Sequence, residues 1–182
     1  INTASQSTTY DISSHISEPR GIRFNSDGTK LYIISSAGGN KKIHEYSLST
    51  AYDVSSLPTP SSTVISSQDG GPRGFTFNTD GTKMFLLSQS NKDDFAAIYE
   101  YNLSKPFDIT TKSYTGDSER CILTNGGDDD LNTNTAFGLD FTNDGMKIFV
   151  GNGALNGRAD GDRVYRFDLT SPYDVSTCSF VN

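Results

Sequence analysis

Carboxylates in the longest irregular segments are the clearest chemistry this chain offers. Asp128, Asp129 and Asp130 lie within residues 125–135, Asp160 and Asp162 within 152–163, and Asp93 and Asp94 in a third such segment. Carboxylates beside Asn side chains and backbone carbonyls are the donor set of a hard cation such as calcium. Three adjacent Asp side chains cannot all turn to one ion, so Asp128, Asp130, Asp160 and Asp162 are the expected ligands. No segment has EF-hand spacing, and a solvated acidic loop that keeps the protein soluble is the competing role.

A second group could recognise a ligand. Arg20 and Arg73 open two equivalent alternating segments, and Phe137 stands at the same place in a third. A guanidinium there clamps an anion or a sugar hydroxyl; bonding to loop carbonyls is its structural alternative. Phe95 and Phe137 are the aromatic residues placed to stack on a sugar ring. Nucleophilic chemistry has no support: no G-x-S-x-G turn occurs, and neither His15 nor His44 lies in an H-E-x-x-H motif. Both histidines are expected at surface or inter-strand positions. Cys121 and Cys178 are the two cysteines, 57 residues apart, and permit one disulfide if the fold brings them within bonding distance.

What must position these residues is a repeat. PRGIRFNSDGTKLYIIS (19–35) returns as PRGFTFNTDGTKMFLLS (72–88) and AFGLDFTNDGMKIFVGN (136–152). Each copy is two strands of period two joined by an Asp-Gly turn, where Gly supplies the positive φ that reverses the chain. A third strand follows (IHEYSL, IYEYNL, VYRFDL), then a common connection (AYDV, PFDI, PYDV), then an exposed fourth strand, TVISS (63–67) or RCILT (120–124). YDISS (10–14) is expected to be that outer strand ahead of the first copy. The second strand is apolar on both faces, and a lone four-stranded sheet cannot bury both. Sheets stacked around an axis can, so the reading is all-β: β-propeller blades at approximately 1–58, 59–115 and 116–182 in one domain.

The pattern P-x-G-(apolar)-x-F-x-x-D-G-x-K, followed by (apolar)-x-x-(aromatic)-x-L, resembles the YVTN-type β-propeller repeat family over nearly the whole chain. That resemblance implies an innermost strand at PRGIRF, an outermost strand at TVISS, and one face of the disc carrying all the long loops. Family members include surface-layer-like proteins, binding modules and lactonase-like enzymes, and fold does not choose among them. Three blades cannot close a ring, since propellers have about four to eight. The chain is therefore expected either to pair as a two-fold homodimer in a six-bladed ring, with Arg23 of one copy beside Asp140 of the other, or to be part of a longer polypeptide.

Composition narrows the partners. The 182 residues carry a formal charge of −7, with nine Tyr, eleven Phe and no Trp. No Lys/Arg cluster exists to displace phosphate counterions, which argues against nucleic acid, and no apolar run is long enough for a membrane span. The Ser/Thr/Asn-rich composition and the even cysteine count suit an extracellular, cell-surface or virion setting. The expected function is a non-catalytic module binding a glycan or protein. A structural subunit of a virus particle or surface layer is one alternative, and a calcium-dependent lactonase-like hydrolase the other.

Overall fold

The computed structural model describes residues 9–37, 41–65, 71–88, 96–123, 136–153 and 163–181. They form three antiparallel sheets in sequence order. Blade 1 comprises β1 (Pro19–Phe24), β2 (Lys30–Ser35), β3 (Lys42–Ser47) and β4 (Ser61–Val64). Blade 2 comprises β5 (Pro72–Phe77), β6 (Lys83–Ser88), β7 (Ala97–Leu103), β8 (Lys112–Tyr114) and β9 (Cys121–Ile122). Blade 3 comprises β10 (Ala136–Phe141), β11 (Lys147–Asn152), β12 (Arg163–Asp168) and β13 (Ser179–Phe180). The all-β reading as propeller blades is the architecture found.

Each hairpin is set by its turn. Asp27 Oδ1 accepts from the Thr29 N–H at 2.9 Å, and Asn25 Oδ1 accepts from the Lys30 N–H at 2.8 Å. Gly28 sits at φ 73°, which L side chains avoid. The connection after the third strand then folds back over this turn: the Tyr52 N–H donates to the Gly28 carbonyl, with Tyr52 itself at φ 61°. Its ring covers the glycine so closely that a Cβ on Gly28 would lie 2.3 Å from it. Phe107 over Gly81 and Tyr173 over Gly145 repeat the arrangement. Asp53, Asp108 and Asp174 each then close a short turn by accepting the N–H two residues on.

The outer strands depart from expectation. RCILT is not a single fourth strand: β8 pairs with β7 at Tyr101–Leu103, whereas β9 pairs at Ala97 and Ile98. The intervening residues make a short 3-10 turn, Asp117–Glu119, that divides the edge. YDISS is no strand either. Asp11 Oδ1 accepts from the Ser13 N–H at 2.8 Å, so this Asp-x-Ser unit makes the same turn as the connections.

Successive blades bury the faces they turn toward one another. The face of a blade toward the next repeat is called trailing here, and the face toward the preceding one leading. Tyr32, Ile34 and Ile43 of blade 1 pack on Phe75, Leu86 and Tyr99 of blade 2. Phe85, Leu87 and Ile98 of blade 2 pack on Leu139, Val150 and Tyr165 of blade 3. On the leading face of blade 1, Ile12 and Ile16 cover Leu31, Ile33 and Tyr46.

Candidate functional site

Arg20, Arg73 and Phe137 occupy equivalent irregularities at the starts of the three innermost strands. The ladder slips between Pro19 and Gly21, between Pro72 and Gly74, and between Ala136 and Gly138. Such a bulge takes its extra residue out of the pleat and re-aims the side chain. The fold therefore brings together three residues far apart in sequence, at one end of the inner strands.

The arginines are held rather than loose. Arg20 Nε donates to Ser36 Oγ at 2.9 Å, and its Nη2 lies 3.8 Å from Glu18 Oε2. The Arg73 guanidinium lies over the Phe137 ring, 5.5 Å from its centroid, a cation–π geometry that fixes the aromatic plane. Phe137 is 52% exposed, a ring held flat yet open to solvent. Below these side chains is a cavity of about 150 Å³, with Arg23, Gly74 and Leu139 in its lining. Arg23 crosses its floor, donating from Nε to the Phe75 carbonyl at 3.2 Å and from Nη2 to the Leu139 carbonyl at 3.0 Å. Its Nη2 also lies 3.8 Å from Asp140 Oδ1 of the same chain. The pairing of Arg23 with Asp140, expected between two copies, is made here within one chain, because the inner strands lie close enough for Arg23 to reach across blade 2.

Sequence reasoning missed a charged latch at each blade junction. Lys30 Nζ and Glu45 Oε1 are 2.7 Å apart, and Lys83 Nζ and Glu100 Oε1 2.6 Å. Each lysine also donates to the carbonyl of the next blade's positive-φ aromatic, Phe107 or Tyr173. Each glutamate faces the following N–H, of Ile109 or Val175. Burial pushes the Glu100 carboxyl up from its ordinary value, and the Lys83 contact opposes that shift. The available signal was a Lys after each Asp-Gly turn matched by a Glu in the third strand of repeats one and two.

Other predicted positions fall elsewhere. Phe95, Asp128, Asp130, Asp160 and Asp162 lie outside the described residues. Among the described residues no three His, Cys, Asp or Glu side chains gather as a metal site. Cys121 and Cys178 are joined in a disulfide, with Cα atoms 5.8 Å apart. The edges do not splay there because the turn Val175–Thr177 folds back against blade 2, its Val175 buried beside Cys121. His44 is buried on the leading face of blade 1, where burial and then Lys42 and His15 lower its pKa.

No protein-family model matches the sequence, and no curated protein is similar to it. Solved structures share its fold. A protein provisionally described as a 6-phosphogluconolactonase from Bacteroides uniformis superposes with a TM-score of 0.55 at 15% identity, over 90% of this chain and 40% of its own. Kuenenia stuttgartiensis hydrazine synthase gives 0.50 at 15% identity, over 82% of this chain and 40% of its own. Both contain propellers. The chain spans about two fifths of each.

Proposed function

We propose that this chain is a non-catalytic β-propeller module that binds a glycan carrying an anionic group at the mouth of the inner strands. One observation carries the reading: a half-exposed Phe137 ring held under the Arg73 guanidinium, with Arg20 at the neighbouring bulge. A fixed aromatic face stacks on a sugar ring at little entropic cost, and guanidinium groups direct a carboxylate or sulfate. On this reading Phe95 lies on the same rim. Asp128, Asp130, Asp160 and Asp162 would hold a calcium ion that orders the adjacent loops, their carboxylates being the right donors. The disulfide supports an extracellular, cell-surface or virion setting. A likeness to a lactonase-described protein at 15% identity carries fold and no activity.

The test is a glycan array and titration calorimetry with uronate-bearing and neutral oligosaccharides, with and without chelator. Phe137→Ala and Arg20→Ala are each expected to weaken binding about tenfold or more, roughly 1.4 kcal/mol. An array silent for the wild-type chain removes the glycan reading in favour of an assembly role in a particle or surface layer. Chelator-sensitive hydrolysis of a lactone removes the non-catalytic one.

A further inference from the structure

The three hairpin turns carry a chemical liability. Asp27, Asp80 and Asp144 are each followed by glycine, whereas the turn-capping Asp11, Asp53, Asp108 and Asp174 are followed by Ile or Val. A branched Cβ shields the nitrogen of its own residue, and glycine leaves that nitrogen open to the preceding carboxyl. The glycine nitrogen can then bond to the aspartate Cγ, its proton leaving with the carboxyl hydroxyl as water, which closes a succinimide. Water adds to the main-chain carbonyl of that ring, and the original C–N bond breaks. The product is isoaspartate, in which glycine is joined through Cγ and the backbone is one methylene longer. The added methylene would fall inside the turns closed by the pairs Phe24 and Leu31, Phe77 and Met84, and Phe141 and Ile148. Hairpin register is fixed by turn type and loop length, so a lengthened turn unsettles both strands.

Each turn is held away from that path. The Gly28, Gly81 and Gly145 N–H groups donate to the carbonyls of Asn25, Asn78 and Thr142 at 3.2, 3.1 and 2.8 Å. The carboxylates are occupied as well. Asp27 Oδ1 accepts from Thr29 Oγ1 and Asp80 Oδ1 from Thr82 Oγ1, both at 2.6 Å, and Asp144 Oδ1 accepts from Thr142 Oγ1. These hydroxyls, ahead of the backbone bonds, hold each carboxyl below its ordinary value and so away from the protonated form that loses water. Over each glycine lies the ring of Tyr52, Phe107 or Tyr173, so near that a Cβ there would sit 2.3, 2.3 or 2.4 Å from it. Two of the rings span the turn: the Tyr52 hydroxyl donates to the Ser26 carbonyl and the Tyr173 hydroxyl to the Asn143 carbonyl, one residue before the aspartate. Attack on Cγ requires the Asp–Gly peptide to rotate, which breaks the glycine hydrogen bond and presses the glycine against the ring.

We propose that Tyr52, Phe107 and Tyr173 guard these Asp-Gly pairs against isoaspartate formation, a role that does not depend on what the module binds. The turn demands glycine for its positive φ and aspartate for its cap, so the hairpin cannot avoid the vulnerable pair. The covering residues themselves sit at φ 61°, 57° and 55°, a conformation uncommon for bulky side chains and kept in all three blades.

Isoaspartate mapping tests this on the 182-residue chain, aged at mildly acidic pH in the native state and separately unfolded in urea. Peptide digests read by isoaspartyl methyltransferase labelling and mass spectrometry give a rate at each aspartate. The rates at Asp27, Asp80 and Asp144 are expected to be at least about tenfold slower in the native chain. Tyr52→Ala is expected to raise the rate at Asp27 alone, and Phe107→Ala the rate at Asp80 alone, each about tenfold with circular dichroism unchanged. Tyr52 is 58% exposed, so its truncation spares the core, and Phe107→Ala keeps the carbonyl that accepts from Lys30. Native rates equal to those of the unfolded chain overturn the proposal. So does a variant that speeds all three aspartates alike, or none of them, because protection would then belong to the folded hairpin and not to the ring.

Discussion

Removing the Glu100 carboxylate tests whether charge joins the blades. Glu100 is 6% exposed and Lys83 28%, and their charged atoms are 2.6 Å apart. Lys83 also donates to the Tyr173 carbonyl at 2.9 Å, and Glu100 Oε2 stands 3.5 Å from the Val175 nitrogen. Glu100→Ala strands an ammonium and an N–H at the junction of blades 2 and 3. Breaking a buried pair on one side costs about 3–5 kcal/mol. Lys83 retains a path to water, which places the expected loss at the low end, about 3 kcal/mol. At about 2–4 °C per kcal/mol for a chain of this size, Tm falls by about 6–12 °C. Urea and thermal unfolding followed by circular dichroism measure it, with Lys105→Ala at an exposed site as control. The double variant Lys83→Met, Glu100→Leu is expected to recover most of the loss, because an apolar pair leaves no orphaned charge. A Glu100→Ala chain as stable as the Lys105→Ala control would refute the latch.

Three further outcomes are expected. The disulfide closes a separation of 57 residues, so Cys121→Ser with Cys178→Ser is expected to cost about 4 kcal/mol in urea unfolding; an unchanged midpoint would count against a folded-state crosslink. Gly81→Ala places a Cβ 2.3 Å from the Phe107 ring at φ +72°, for a loss of at least about 2 kcal/mol, whereas Gly138→Ala in the single chain costs under about 0.5 kcal/mol; equal losses would refute the turn-cover account. Burial and neighbouring positive charge depress the pKa of His44, so the unfolded chain takes up a proton at a higher pH than the folded one. Stability is accordingly expected to fall as pH drops from about 6.5 toward the lower folded value. His44→Gln should flatten that slope in a Tm-versus-pH series, and an unchanged slope places the titration elsewhere.

The repeat was legible because its turns are local. Asp27 and Gly28, with Asn25 beside them, specify a hairpin within a few residues, and the same grammar recurs at Asp80 and Asp144. Outer strands were harder to read, since YDISS and AYDVSS are equally compatible with an exposed strand and with an Asp-x-Ser turn. The hydrogen bond from Ser13 to Asp11 resolves the first as a turn. Of the site, sequence located Arg20, Arg73 and Phe137 at equivalent strand starts but not the bulges that turn them outward, which depend on pairing register. The Lys–Glu latches escaped for the same reason. Lys30 and Glu45 are 15 residues apart, and they meet only because Lys30 and Ser47 fix the register of β2 on β3.

What varies among the three blades has a direction. Contacts made within a blade recur in all three: the aspartate-capped turn, the glycine at positive φ and the aromatic over it. Contacts made between blades are the Lys30–Glu45 and Lys83–Glu100 latches and the close approach of Gly21 and Gly74 to the following inner strand. The second row of the trailing face reads Arg23, Tyr32, Glu45 in blade 1, Thr76, Phe85, Glu100 in blade 2 and Asp140, Phe149, Arg166 in blade 3. Stability in such an array is close to a sum of blade terms and nearest-neighbour terms, so a turn change such as Gly81→Ala and a latch change such as Glu100→Ala draw on different terms of that sum.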